Sequence, residues 1–476
     1  MWLRIGTTHT HAERTTDTER AWLDFYLGLP NPKARFTGGS AKTPLYNVVS
    51  DTFPSGLVPL VLAGAKEAGH SVQVLDTRTA PCTPDPKARI DWLRDYQEIA
   101  VEKGAVHHRG VFHCPTASGK TEVLVALSHI YPCSWAVFVH RTSLLAQTAE
   151  RFRARTGEEV GLLGAGQRSF ARVTVAMWQT VYSGLASGDA TIVRWLEGVQ
   201  GFHADEVHAV AAKTFWQIAM RAKQAHFRFG YSGTPFARGD QRGLLVVAAT
   251  GPVIYRISAD TLVQAGAIAK PRVLRVLHRT VPHANAGTYA EAYREAVAED
   301  EVRLVLLEHV VRSAPKPCLI FVRAIEHGRR ACKALLAHGV KAEFVWGAKN
   351  LPQREAAIRR LIHADTDVLV TNVIFQEGVD IPELKSIVHA GGGASHIAAL
   401  QNAGRGMRRR DGAGNLVKDV VPIYDIADVH CGCKSTDPVS KKSRYAHRVC
   451  RWMERHTRSR LRAYLGEGYE VVEWSP

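Results

Sequence analysis

The segment Thr116-Ala117-Ser118-Gly119-Lys120-Thr121 places a glycine, a lysine and a hydroxyl where an apolar run gives way to a helical pattern. Glycine lets backbone N–H groups wrap a phosphate, lysine reaches the outer phosphates, and the threonine hydroxyl suits Mg²⁺. A helix N-terminus adds a dipole that favours the same anion. The loop is therefore a candidate triphosphate cradle, with Thr116, Ala117, Ser118, Gly119, Lys120 and Thr121 as binding residues and Lys120 also catalytic. The general pattern G-x-x-x-x-G-K-T opens on glycine, whereas this chain has Cys114. A chance Gly-Lys-Thr at a helix start thus competes with the reading.

Asp205-Glu206-Val207-His208 lies 85 residues beyond Lys120, after a semi-apolar segment that suits a strand. There Asp205 would hold Mg²⁺ through water, and Glu206 would orient the attacking water and take its proton. A solvated acidic turn is the bland alternative. His208 suits a relay to Ser232 and Thr234 in Ser232-Gly233-Thr234-Pro235, with Gln401 in the same coupling role. Arg405 and Arg408 are one helical turn apart, and a cation delivered to the γ-phosphate speeds transfer by on the order of 10³-fold or more. Arg409 and Arg410 stay unassigned, as a basic surface helix. Gln97, Gly378 and Asp380 complete a nucleotide site drawn from two distant stretches of chain. A site built that way closes by moving one lobe against the other.

The elements that must position these residues read as two α/β halves. Short apolar runs at 110–114, 135–139, 173–176 and 227–231 alternate with helical patterns, and the rhythm returns at 318–322, 342–345, 368–370, 387–390 and 420–423. That alternation predicts parallel sheets with crossover helices. The expected fold is α/β: two tandem doubly wound parallel-sheet lobes, a small N-terminal α+β accessory domain and a basic C-terminal helix. The expected bounds are 1–87 (accessory, duplex DNA-binding), 88–257 (first lobe), 258–430 (second lobe) and 431–476 (basic tail). Three prolines between Pro81 and Pro86 mark the first linker.

The 476 residues carry 61 Lys and Arg against 45 Asp and Glu, a net charge of +16 that suits a polyanion partner. Half of that surplus falls in residues 434–462, at +8, while residues 1–87 carry only +1. Eight scattered cysteines suggest a reducing interior. No signal-peptide pattern opens the chain, and the apolar run 57–65 is too short for a bilayer. The expected location is a reducing cell interior.

Taken together, the motifs resemble those of superfamily 2 helicases over about residues 88–430. Leu93-Arg94-Asp95-Tyr96-Gln97 looks like the adenine-reading Q motif, which makes Gln97 the base contact. Residues 139–147 resemble motif Ia, with Arg141 and Thr142 on the nucleic-acid backbone, and 173–181 resemble motif Ib, with Gln179. Residues 371–382 match motif V, implying that Thr371 approaches the backbone and Asp380 the ribose. Asp-Glu-Val-His differs from the tetrapeptide of DEAD-box RNA helicases at its third and fourth positions. The flanks, at 45–58 and 458–471, are similar to the UvsW-type branch-migration helicases of tailed phages, whose core is XPB-like and restriction-motor-like. The resemblance implies that the two lobes are RecA-like, that ATP and Mg²⁺ are cofactors, that duplex, forked or four-way-junction DNA is the partner, and that the location is the cytoplasm of a bacterial or phage-infected cell.

Arg444, Arg448, Arg451, Arg455, Arg458 and Arg462 recur at spacings of 4, 3, 4, 3 and 4. On a helix they fall within an arc of about 80° over roughly 27 Å. Arg448, Arg451 and Arg455 are the expected duplex contacts, against the alternative of a solvated basic face. Tyr445, Val449, Trp452, Met453 and His456 share an adjoining face suited to docking. His430, Cys431, Cys433, His447 and Cys450 lack a second close cysteine pair and are not read as a zinc site. The expected function is an ATP-dependent DNA helicase or translocase acting on branched DNA in recombination, repair or replication. The rivals are a motor subunit of a restriction or repair assembly, and an annealing or binding module with weak ATPase.

Overall fold

The computed structural model describes residues 1–30, 42–208, 213–236, 243–279, 288–347, 351–372, 381, 383–393, 404, 406, 407, 409, 416–429 and 441–475, without the side chains of 30, 42, 213, 351 and 441–450. The chain divides into two compact units: Met1–Pro115 with Gly119–Ile257, and Thr116–Ser118 with Ser258–Pro476.

The first unit opens on a four-stranded sheet ordered Thr52–Pro54, His9–Glu13, Trp2–Ile5, Gln73–Asp76. Period-2 alternation turns Leu3, Ile5, Thr10 and Ala12 inward and Trp2, Arg4, His11 and Glu13 outward. The helix Asp17–Tyr26 starts at a capping box of Thr16 and Glu19 and buries Leu23. Together with Phe53, Leu57 and Val61, these residues form a core that also takes in Ala248 from the helix Gly243–Thr250. Gly56 makes that junction possible. A β-carbon there would stand 2.1 Å from the Val247 carbonyl oxygen, so only glycine lets the two backbones meet.

The rest of the first unit is an eight-stranded sheet ordered Gln167–Arg168, Val160–Gly164, Val173–Met177, Trp135–Val139, Gly201–Asp205, Phe227–Ser232, Arg109–His113, Val253–Arg256. All its pairings are parallel except the first. Its central strands are buried end to end, which is why they read as unbroken apolar runs. The second unit holds a seven-stranded, wholly parallel sheet ordered Ala342–Val345, Val368–Thr371, Cys318–Phe321, Ser386–His389, Val420–Val429, Lys270–Arg279, Glu470–Trp474. These two sheets bear out the α/β expectation.

The basic C-terminal helix runs from Lys441 to Gly466. Of the predicted docking face, Met453 is fully buried against Ala292, Tyr293, Ala296 and Val297, His456 is buried and Trp452 partly so, while the side chains of Tyr445 and Val449 lie outside the described residues. Arg460 was not part of the predicted stripe, and it is fully buried. It grips Asp425 through Nε and Nη2 at 2.9–3.1 Å and donates to the Gly393 carbonyl at 2.7 Å. Among the described residues no helix is long and apolar enough to cross a membrane.

Candidate functional site

Three neighbouring parallel strands deliver the first unit's polar groups to one carboxyl edge, the usual place for ligands in such sheets. Arg109–His113 runs into the phosphate loop, Gly201–Asp205 ends on the acidic pair, and Phe227–Ser232 lies between them. Gly119 caps the helix Lys120–Ile130 in a left-handed conformation (φ 78), and Ala117 is left-handed as well (φ 66). Lys120 Nζ lies 3.4 and 3.5 Å from the carbonyl oxygens of Pro115 and Cys114. These long contacts are weak, so the ammonium is available to an anion seated in the loop. Gln97 is buried beside that loop, its Oε1 accepting from the Arg94 N–H at 3.0 Å.

Glu206 has a left-handed backbone (φ 51), a conformation a non-glycine residue adopts at a cost and one that clusters at functional sites. Its Oε2 accepts from the Ser232 hydroxyl at 3.3 Å. The same hydroxyl oxygen lies 3.2 Å from His208 Nδ1 and accepts the Thr234 N–H at 3.1 Å. His208 Nδ1 also lies 3.3 Å from Glu206 Oε2, and since an ionised carboxylate only accepts, Nδ1 is the donor in this cluster. Ser232 also reaches the phosphate-loop strand, its carbonyl accepting the Cys114 N–H at 3.0 Å. His113 Nε2 meets the Gly233 carbonyl at 3.0 Å. Sequence reading missed His113, whose only signal is its place as the last strand residue before the loop.

The two carboxylates are shifted in opposite directions. Burial, and then the charge of Glu206, push Asp205 above its ordinary pKa, partly offset by Lys120. Burial opposes the Glu206 carboxylate too, but the His208 hydrogen bond and the Lys120 charge outweigh it and hold Glu206 low. A buried carboxylate that resists ionisation is what a divalent cation relieves, and Asp205 and the partly buried Thr121 are the residues that fit one. Among the described residues no cluster of three or more His, Cys, Asp or Glu forms an all-protein metal cage.

A second cluster lies further along the same edge. Arg141 precedes the helix Thr142–Thr156, and the exposed Gln179 sits in the first turn of the helix Trp178–Ser187. Their strands are neighbours, Val139 pairing Met177. Gln179 donates to the His140 carbonyl at 2.9 Å, and the Thr142 hydroxyl lies 3.8 Å from Met177 Sδ. Two helix N-termini thus open on one spot, a setting that favours a phosphate. Thr371 differs from expectation: it is fully buried, its hydroxyl 3.4 Å from the Asn372 carbonyl, so it is not exposed to a nucleic-acid backbone. Arg451, Arg455, Arg458 and Arg462 are all exposed on the C-terminal helix. Gly378, Asp380, Gln401, Arg405, Arg408, His430, Cys431 and Cys433 lie outside the described residues, as do the side chains of Arg448, His447 and Cys450.

Two family models match the chain: "Type III restriction enzyme, res subunit" over residues 91–237 and "Helicase conserved C-terminal domain" over 302–410. The chain is 24% identical over 402 residues to the DNA 3'-5' translocase XPB2 of Sulfurisphaera tokodaii, covering 75% of this chain and 86% of that protein. It is 22% identical to the ATP-dependent DNA helicase uvsW of Enterobacteria phage T4, over 79% and 76% of the two. Its fold is like that of the ATP-dependent Type ISP restriction-modification enzyme LlaBIII bound to DNA, with TM-score 0.54, 16% identity, 88% of this chain and 34% of that longer one.

Proposed function

We propose that this chain, a superfamily 2 helicase close to the UvsW branch and an ATP-dependent DNA helicase, remodels forked and junction DNA in recombination, repair or replication. The observation that carries the mechanism is Ser232, whose hydroxyl binds Glu206 and His208 while its carbonyl holds the phosphate-loop strand. Thr116, Ala117, Ser118, Gly119 and Lys120 cradle the triphosphate, and Gln97 reads the base. Thr121 and Asp205 hold Mg²⁺, which when bound neutralises charge on the phosphate oxygens. Glu206 orients the attacking water and takes its proton. Arg405 and Arg408 supply cations from the second lobe, and Gly378 and Asp380 complete the nucleotide contacts. His208, Ser232, Thr234 and Gln401 transmit nucleotide state.

Arg141, Thr142 and Gln179 meet the DNA backbone, and the exposed arginines of the C-terminal helix meet duplex phosphates. We assign residues 1–87, 88–257, 258–430 and 431–476 to accessory domain, two motor lobes and tail, and its place of work to the bacterial or phage-infected cytoplasm. The deciding experiment is ATPase rate on matched single strand, duplex, fork, four-way junction and RNA, with Lys120→Ala as blank. Stimulation by fork and junction together with strand displacement supports the reading. Stimulation by plain duplex without displacement favours a translocase working for a partner. No hydrolysis above the blank overturns both.

A further inference from the structure

We propose that the outer face of the N-terminal sheet is a stacking platform for single-stranded DNA, centred on Trp2 and Arg14. The inference rests on the reading of the chain as a DNA motor and names a ligand class that reading does not require. The register sets Trp2 opposite Glu13 and Arg4 opposite His11, so these four share the face turned away from the core. Leu75, beside Arg4 on the neighbouring strand, is 50% exposed. Trp2 keeps 37% of its surface in water, and the Arg14 guanidinium lies over its ring at 4.6 Å. A large aromatic held in place by a cation on a solvated sheet is the arrangement that stacks bases.

Charge and base geometry select the kind of strand. Residues 1–87 carry only +1, too little surplus to track a duplex by its phosphates alone. Glu13 pairs Arg4 at 2.5 Å and spends that cation locally, while the contact of Arg14 is the Trp2 ring itself. What the face offers is therefore π surface with a cation beside it. In a duplex each base face is covered by its neighbours, so only an unpaired strand can present one to Trp2. A motor that parts strands at a fork produces such a strand.

The test measures affinity of the full chain, without nucleotide, for an oligothymidylate and for a duplex of equal length. Trp2→Ala is expected to weaken single-strand binding roughly ten- to hundredfold, with the salt slope, duplex affinity and thermal midpoint retained. Trp2→Phe should restore most of the loss. Arg14→Ala should lower affinity and reduce the single-strand salt slope by about 0.7. Unchanged single-strand affinity in Trp2→Ala overturns the proposal, as does an equal loss on duplex or a loss that tracks a lowered midpoint and is not restored by phenylalanine. DNA-stimulated ATPase is read separately. Its absence in the unaltered chain refutes the motor, whereas its presence alongside normal single-strand binding by Trp2→Ala refutes only the platform.

Discussion

Gln97 lies against the α-carbon of Gly119, its Nε2 2.2 Å from the point a β-carbon on that glycine would occupy. The base-reading candidate and the phosphate loop are thus in van der Waals contact, although 22 residues separate them in sequence. Gly119→Ala meets two obstacles, the Gln97 amide and a left-handed backbone. ATP binding should fall at least tenfold, read by fluorescent-nucleotide titration. Gln97→Ala opens the space but also removes the base contact, so the double variant should lose less than the sum of the two single losses. Complete additivity of the two changes would show that the contact is inconsequential.

The His208 hydrogen bond is the leading influence holding Glu206 low, against a burial cost that raises it. His208→Ala removes that bond, so the carboxylate pKa rises and more of it is protonated at mildly acidic pH. The acid limb of the ATPase profile should move to higher pH, with the plateau near neutrality less affected. Strand displacement should suffer more than hydrolysis, because the imidazole also holds Ser232. An acid limb that stays in place would rule out this tuning.

Asp205 is displaced upward, so a proton competes with the cation for it. Mg²⁺ affinity, followed by titration in the presence of a non-hydrolysable nucleotide, should increase as pH rises through that raised pKa. Asp205→Asn should abolish this dependence and weaken the metal. A pH-independent Mg²⁺ affinity in the unaltered protein would contradict the assignment.

The Arg460–Asp425 pair is wholly buried, which makes loss of one partner costly. Arg460→Ala should destabilise the chain by about 3–5 kcal/mol, since it strands the carboxylate. Arg460→Met with Asp425→Leu should cost much less, because it removes both charges together. Urea unfolding of the unaltered chain and the two variants checks the order. Equal losses in the single and double variants would mean that packing, not charge, sets the cost.

Arg451 and Arg455 are exposed and adjoin on one helical face. If each meets a phosphate, replacing both by alanine should reduce the log–log salt slope of duplex binding by about 1.8. An unchanged slope would identify them as a solvated basic face.

The sequence disclosed what depends on runs and spacing, and little of what depends on approach. Strands such as Trp135–Val139 and Phe227–Ser232 were legible because burial on both faces leaves an unbroken apolar run. Trp2–Ile5 and His9–Glu13 were not, since a half-exposed sheet mixes Trp, Arg and His with its core residues. Lys270–Arg279 is equally camouflaged by its charges. Arg460 was hidden in a tail with ten basic residues, where charge counting treats every arginine as solvated. Helical phase would have separated it: Met453, His456, Arg460 and Tyr464 fall on one face, and all four are buried. The motif order disclosed Glu206, His208 and Ser232, but only the folded edge reveals that one hydroxyl joins them.

The close approach at Gly56 bears on how the protein can be dissected. Leu57 and Phe53 share a core with Ala248, so a fragment starting near residue 88 would carry the helix Gly243–Thr250 with one flank stripped. Val247 and Leu244 would then face water, and such a fragment should be sticky and short-lived in solution. A fragment of residues 1–257 leaves this seam unopened.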